Sequence, residues 1–245
     1  MARDQKKAPE RPRARNTSVI REYVEALIVA AVFLGFTNNF VLKTFYIPSG
    51  SMENTLLIGD HLFVNRYIFG PRPTLLEKTL LPGREVQRGD IVIFRSPETP
   101  KLDLVKRCIG LAGDRLNMVN KQLFVNGKPV DDDAYVIHRD EKVYPATGPY
   151  GQYSTGRDNW GPVIVPEDHL FCMGDNRDES LDSRAWGNVP LKLIKGRAVM
   201  VYWSYGGETS DGTWHGFGHR LKQLMNTALG FLTKTRWERT FKLIQ

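Results

Sequence analysis

The stretch "LDLVKRCIGLAGDRLNMVNKQLFVNGKPV", Leu102 to Val130, decides how this chain is read. Its apolar residues fall in short runs broken by Gly, Asp and Asn, the pattern of strands joined by tight turns. Arg115–Val119 and Gln122–Val125 read as the arms of a hairpin, and Asn126-Gly127 adds a second turn of the kind that favours left-handed backbone. "HLFVNRYIF" and "DIVIFRS" upstream, and "HLFCMGD" and "GRAVMVYWSY" downstream, read as further short strands. The body of the chain, from Asp60 onward, is therefore mostly β. Residues 131–161, rich in Asp, Gly, Tyr and Pro with little periodicity, read as an insertion or ribbon outside the core.

Outward from this body the composition changes at both ends. The 245 residues are 41% hydrophobic and 25% charged, a globular balance, with a formal charge of +7. Seven Lys/Arg against three acidic residues lie in 1–22, and six against one in 219–245, which leaves the middle at −2. A nucleic-acid binder carries its basic patch on the folded body. Charge placed at the two ends suits an anionic membrane surface, so a lipid bilayer is expected as a partner and nucleic acid is not.

Between the basic start and the β region runs "REYVEALIVAAVFLGFTNNFVLKTFYI", with an uninterrupted apolar core of eleven residues, Ala26–Phe36. That is short against the ~20 needed to span a bilayer, and reaches spanning length only through Asn38 and Asn39 to Leu42 and Phe45. A cleaved signal peptide, a buried helix and a membrane anchor compete as readings. The basic flank favours the anchor, with a cytoplasmic N-terminus and everything after Lys43 outside. At the other end Leu221, Leu224, Met225, Ala228, Leu229 and Leu232 share one helical face. A helix packed on its own domain and a helix lying in the membrane interface both fit. The expected divisions are a basic segment 1–22, an anchor 23–43, a β domain 44–206 with an extra β portion over about 128–165, and a basic amphipathic tail 207–245.

Chemistry is sought in the polar residues that interrupt these runs. No nucleophile elbow GxSxG, no Ser-x-x-Lys after the first serines and no HExxH is present, and the five histidines sit in unrelated contexts. Cys108 and Cys172 form no CxxC pair; they read as buried thiols, with one bridge between neighbouring strands open in an oxidising compartment. Lys106 is different. A strand lysine ordinarily points to solvent, but alternation sets this one on the face of Leu104 and Cys108 rather than with Arg107. If that face is inward, burial lowers the ammonium pKa and a neutral lysine can take a proton from a serine hydroxyl. Two serines flank a glycine in "YIPSGSMENTLLIGD", Tyr46–Asp60, and a third element, "GDNRDESLDSRAWGNVP" from Gly174 to Pro190, is dense in side chains able to pair internally and hold a rigid loop.

Taken together, "IPSGSMENTLLIGD", "RGDIVIF", "LVKRCIGLAGD" and "GDNRDESLDSRAWG", in that order after an apolar segment, resemble bacterial type I signal peptidase over roughly residues 20–205. The resemblance implies an antiparallel β domain with a coiled, barrel-like core and a less regular extra β portion. It implies Ser51 as nucleophile and Lys106 as general base, with the Ser49 hydroxyl and the Ser51 N–H holding the oxyanion. Ser180 then orients the lysine, Asp182 and Arg184 form a supporting ion pair, and Gly174, Asp175, Asn176 and Arg177 build the loop around it. Ile47, Pro48, Met52, Leu56, Leu104 and Val105 are the expected lining of small pockets that favour alanine-like residues at the cleavage site. No metal or other cofactor is called for. The partners implied are secretory preproteins and the bilayer, the chain acting as a monomer on the outer or periplasmic side of a bacterial inner membrane. The sequence departs from many relatives at Glu53-Asn54, where they carry a proline-containing pair, in showing one anchor, and in its basic tail. Two other readings remain at this point: a self-cleaving Ser–Lys protease of the LexA-like repressor type, and a membrane-tethered β domain that only binds partners.

Overall fold

A computed structural model of the chain describes residues 19–36, 42–69, 83–145, 156–207 and 217–244. Of the basic segment 1–22, residues 1–18 lie outside the described residues. Helix α1 runs from Val19 to Phe36 and carries Arg21, Glu22 and Glu25 in its first two turns. Among the described residues no helix is long and apolar enough to cross a membrane. Of the expected span over 23–43, residues 23–36 belong to α1, residues 37–41 lie outside the described residues, and Leu42 and Lys43 belong to strand β1, Leu42–Tyr46.

The remaining strands are β2 (Asp60–Asn65), β3 (Ile91–Arg95), β4 (Asp103–Gly110), β5 (Arg115–Val119), β6 (Gln122–Val125), β7 (Lys128–Pro129), β8 (Trp160–Ile164), β9 (His169–Met173), β10 (Val189–Pro190), β11 (Ile194–Ser204) and β12 (Lys242–Leu243). The pairings in both sheets are antiparallel. The larger sheet runs β1-β2-β11-β3-β4-β9-β10, with β12 also on β11. It curls into a half-barrel because β11 changes partner along its length. Ile194–Arg197 pair with β3, Arg197–Ser204 with β2, and register shifts bend the strand between.

Local sequence explains the strand ends. Leu62 and Val64 alternate inward on β2, whereas Ile91–Phe94 of β3 are buried without a break because that strand is covered on both faces. The apolar run after Val64 does not extend β2, since the Asn65 side chain accepts from the N–H groups of Tyr67 (3.0 Å) and Ile68 (3.2 Å) and turns the chain. The smaller sheet, β7-β6-β5-β8, is inserted between β4 and β9 and starts at Arg115, earlier than the expected 128. Its hairpin β5–β6 turns at Asn120 and Lys121, both at positive φ.

The tail is part of this fold. Helix α3, Phe217–Lys234, leads through Thr235 to β12, which pairs Lys242 and Leu243 with Val201 and Met200. Ile244 joins the cluster of Ile47, Met52, Leu56, Leu62 and Val64. Arg239 donates to Asp60 at 2.6 Å and to the Thr55 carbonyl at 2.9 Å, and Asp60 is fully buried. Replacing Arg239 with alanine would leave that carboxylate with Ser204 Oγ, the Leu57 N–H and a more distant Arg236. The expected loss is about 2–3 kcal/mol in denaturant unfolding, below the range for a wholly orphaned buried charge because those partners remain.

Candidate active site

Ser51 sits in a single 3₁₀ turn, Gly50–Met52, entered through extended backbone at Ser49. The turn is held by the Glu53 N–H on the Gly50 carbonyl (3.0 Å) and the Leu56 N–H on the Met52 carbonyl (2.8 Å). Met52 and Leu56 drive into the apolar core, so Ser51 is left half-buried at the surface of a fixed turn. The Ser49 hydroxyl does not cap the turn.

Lys106 lies in the middle of β4, opposite Val92, with 3% of its surface exposed. Its Nζ is 2.5 Å from Ser51 Oγ. Burial of the ammonium lowers its pKa from 10.5 to about 8, against the carboxylates of Asp182 and Asp175, which raise it. The Arg184 guanidinium acts with burial, so the Asp182–Arg184 pair presents little net charge to the lysine. Leu104 and Cys108 pack in one cluster, as alternation along β4 requires of residues on the Lys106 face.

The loop from Gly174 to Arg184 joins these two elements. A Cβ at position 174 would lie 2.2 Å from Ser180 Oγ and 2.4 Å from the Ser51 carbonyl, so only glycine lets the loop pass between them. Asp182 caps helix α2, Ser183–Trp186, and accepts from Arg184 Nε (2.9 Å), Arg184 Nη2 (2.8 Å) and the Gly174 N–H (3.1 Å). Arg184 donates further to the carbonyls of Arg157 (3.1 Å) and Arg177 (2.6 Å). Both side chains of the pair are completely buried.

The other charged groups of the loop do not pair within it as expected. Asp175 takes both arms of Arg107, at 2.8 and 2.7 Å, and the Thr55 hydroxyl at 2.5 Å. Arg107 in turn lies 3.9 Å from the ring of Tyr135. Arg177 reaches Asp132 at 2.7 Å, and Asp178 meets Lys121 and Arg157. Bonds to distant segments are shape-determining in a way that internal pairs are not: they fix where the loop stands over Ser51.

Of the expected lining residues, Ile47, Met52 and Leu56 are sealed in the core. Pro48 is exposed, while Leu104 and Val105 pack on opposite faces of β4 against different clusters. Val105 adjoins the cluster that holds Met52. Asn176, read from the sequence only as loop scaffold, makes direct contact with the nucleophile turn. Its N–H donates to the Ser51 carbonyl (3.2 Å) and its Nδ2 to the Gly50 carbonyl (3.3 Å) and Glu179 (3.1 Å). Because the peptide group is planar and trans, holding the Gly50 carbonyl aims the Ser51 N–H to the opposite side. Nothing in the spacing of residues 50 and 176 signals this contact.

Comparison with known proteins shows the family. Residues 20–203 match the family described as signal peptidase, peptidase S26. Signal peptidase I of Pseudomonas aeruginosa is 31% identical over 214 residues, covering 75% of this chain and 72% of that protein. A probable signal peptidase I-2 of Synechocystis is 33% identical, covering 74% and 72%. Signal peptidase I of Aquifex aeolicus is 30% identical, covering 75% and 84%. The half-barrel that brings Ser51 and Lys106 together is thus the fold of a chain that belongs to the signal peptidase family, peptidase S26.

Proposed function

We propose that this chain is a serine endopeptidase that removes signal peptides from secretory preproteins, with Ser51 as nucleophile and Lys106 as general base. The observation that carries the reading is the 2.5 Å approach of Lys106 Nζ to Ser51 Oγ inside a buried site. Neutral Lys106 takes the hydroxyl proton as Oγ attacks the scissile carbonyl carbon. The oxyanion is met by the Ser51 N–H and the Ser49 hydroxyl, donors of a kind each worth about 3 kcal/mol in the transition state. Protonated Lys106 gives its proton to the leaving amine as the C–N bond breaks. It then deprotonates water, which attacks the ester and restores Ser51.

Ser180 is the positioning residue for the lysine in this reading, supported by its burial beside Gly174, which also adjoins the Ser51 carbonyl. A shallow floor formed by the sealed Ile47, Met52 and Leu56, with Pro48 and Val105 beside it, favours small residues of the Ala-x-Ala type at the cleavage site. The substrate enters as an extended strand along Pro48–Ser49, which continues edge strand β1. Tethering by the N-terminal segment sets the site beside the bilayer with the β domain on the outer side. Its support is the exposure of Leu27, Ile28, Val29, Val32, Phe33 and Leu34 around α1.

The test is cleavage of a secretory precursor by the purified full chain in detergent, with kcat/KM followed against pH. A base near pKa 8 makes the rate climb tenfold per pH unit from the acid side, so at pH 6 it is about 100-fold below the alkaline plateau. A flat profile rules out the lysine base. Asn176→Ala is expected to lower kcat about 10–100-fold with little change in KM and no change in the pH profile, since it loosens the oxyanion donor without touching Lys106. Steady-state kinetics of the variant across pH checks this.

A further inference from the structure

Cys108 in β4 and Cys172 in β9 stand directly opposite each other in the sheet. Their backbone groups point away from the shared seam. The Cys108 N–H donates to the Asp90 carbonyl (2.8 Å), and the Cys108 carbonyl accepts from the Gly89 N–H (2.8 Å), both on the β3 side. The Cys172 N–H donates to Ser183 Oγ at 2.9 Å, on the β10 side. The pair is thus a non-hydrogen-bonded one, the register in which Cα atoms approach to roughly 4.5 Å and side chains stand closest. A disulfide needs a Cα separation of about 4.4–6.8 Å, the range to which this register belongs. In the structure both thiols are free, and Cys108 Sγ turns to the Gly110 carbonyl at 3.6 Å. Both side chains are fully buried on the same face, packed together with Val92, Phe94, Leu170 and Val189.

We infer that Cys108 and Cys172 close into a disulfide when the chain folds in an oxidising compartment. The oxidant is a disulfide-bearing protein or small molecule acting by exchange. One cysteine thiolate attacks a sulfur of that disulfide and displaces a thiolate. The second cysteine then attacks the mixed disulfide and releases the oxidant as a dithiol, two protons and two electrons having left the pair. Burial raises the Cys172 thiol pKa and seals both sulfurs from solvent, so the bond forms before the sheet closes and then persists. It joins the two strands that build the site. Cys108 is two residues from Lys106, and β9 runs through Met173 into the loop of Gly174, Ser180 and Asp182.

The pairing itself does not depend on the roles of Ser51 and Lys106. Its occurrence in the cell rests on the proposed outer-side location of the β domain. The full chain is refolded in detergent with oxidised and reduced glutathione, quenched in acid, digested without reduction and examined by mass spectrometry. The expected product is a Cys108–Cys172 linked peptide with no alkylatable thiol, and a Tm about 5–15 °C above the reduced protein. Two alkylated or glutathionylated cysteines in the folded product overturn the pairing. Linkage on refolding, together with free thiols in protein extracted from bacterial membranes, upholds the pairing and overturns the outer-side location instead.

Discussion

Replacing Lys106 with alanine is expected to leave a folded protein whose cleavage of a secretory precursor falls by about 10⁴-fold or more, and Ser51→Ala to match it. The two losses should not add, because nucleophile and base act in one proton transfer. The sharper variant is Lys106→Met, which keeps the volume of the stem and removes the charge. Folded Lys106 has a pKa of about 8 against 10.5 for the ordinary group. Between those values the unfolded chain holds a proton that the folded chain lacks, so wild-type stability rises as pH climbs from about 8 to 10.5. Below pH 8 the deficit is complete, on the order of 3 kcal/mol at ~1.4 kcal/mol per pH unit. Lys106→Met is thus expected to be inactive and more stable than the parent by up to about 3 kcal/mol at pH 7, with the gain gone above pH 10.5. Denaturant unfolding at several pH values measures it. A Met variant less stable than the parent at pH 7 would contradict a buried lysine held against its own protonation.

The features legible in the sequence are those carried by local rules. Period-2 alternation sets Lys106 inward, turn residues bound β5 and β6, and an unbroken apolar run marks the central strand β3. What escapes is set by partners far along the chain. Asp175, Arg177 and Asp178 looked able to pair with one another, yet their partners are Arg107, Asp132, Lys121 and Arg157. Charge spacing on a loop reveals that pairs will form and is silent on which strand supplies the other half. How deeply Ile47, Met52 and Leu56 are buried is likewise not legible from the sequence. They are apolar and close to Ser51 in sequence, but alternation says nothing about what covers the face they occupy, and here it is the core. The tail shows the converse: its helical periodicity hides the short segment after Arg236 that returns to β11 and delivers Arg239 to Asp60.

Arg184→Ala tests whether the buried pair beneath the site is structural, electrostatic or both. The change leaves the fully buried Asp182 carboxylate with the Gly174 and Arg184 backbone N–H groups in place of a guanidinium. It also strips the Arg157 and Arg177 carbonyls of their donor. Breaking one partner of a pair this deep costs about 3–5 kcal/mol, a large part of the stability of a domain this size. An electrostatic role adds a second effect that mere destabilisation cannot produce. Asp182 raises the Lys106 pKa and Arg184 lowers it, so removing the guanidinium leaves the carboxylate unopposed and holds the lysine protonated. In the folded fraction, kept populated by low temperature or osmolyte, the acid limb of the rate profile should move to higher pH while the alkaline plateau is recovered. Arg184→Lys restores a positive charge but not the fork that reaches Asp182 and several backbone carbonyls at once, so it should return the acid limb toward the parent while unfolding early. A limb that stays in place in both variants would confine the pair to scaffolding.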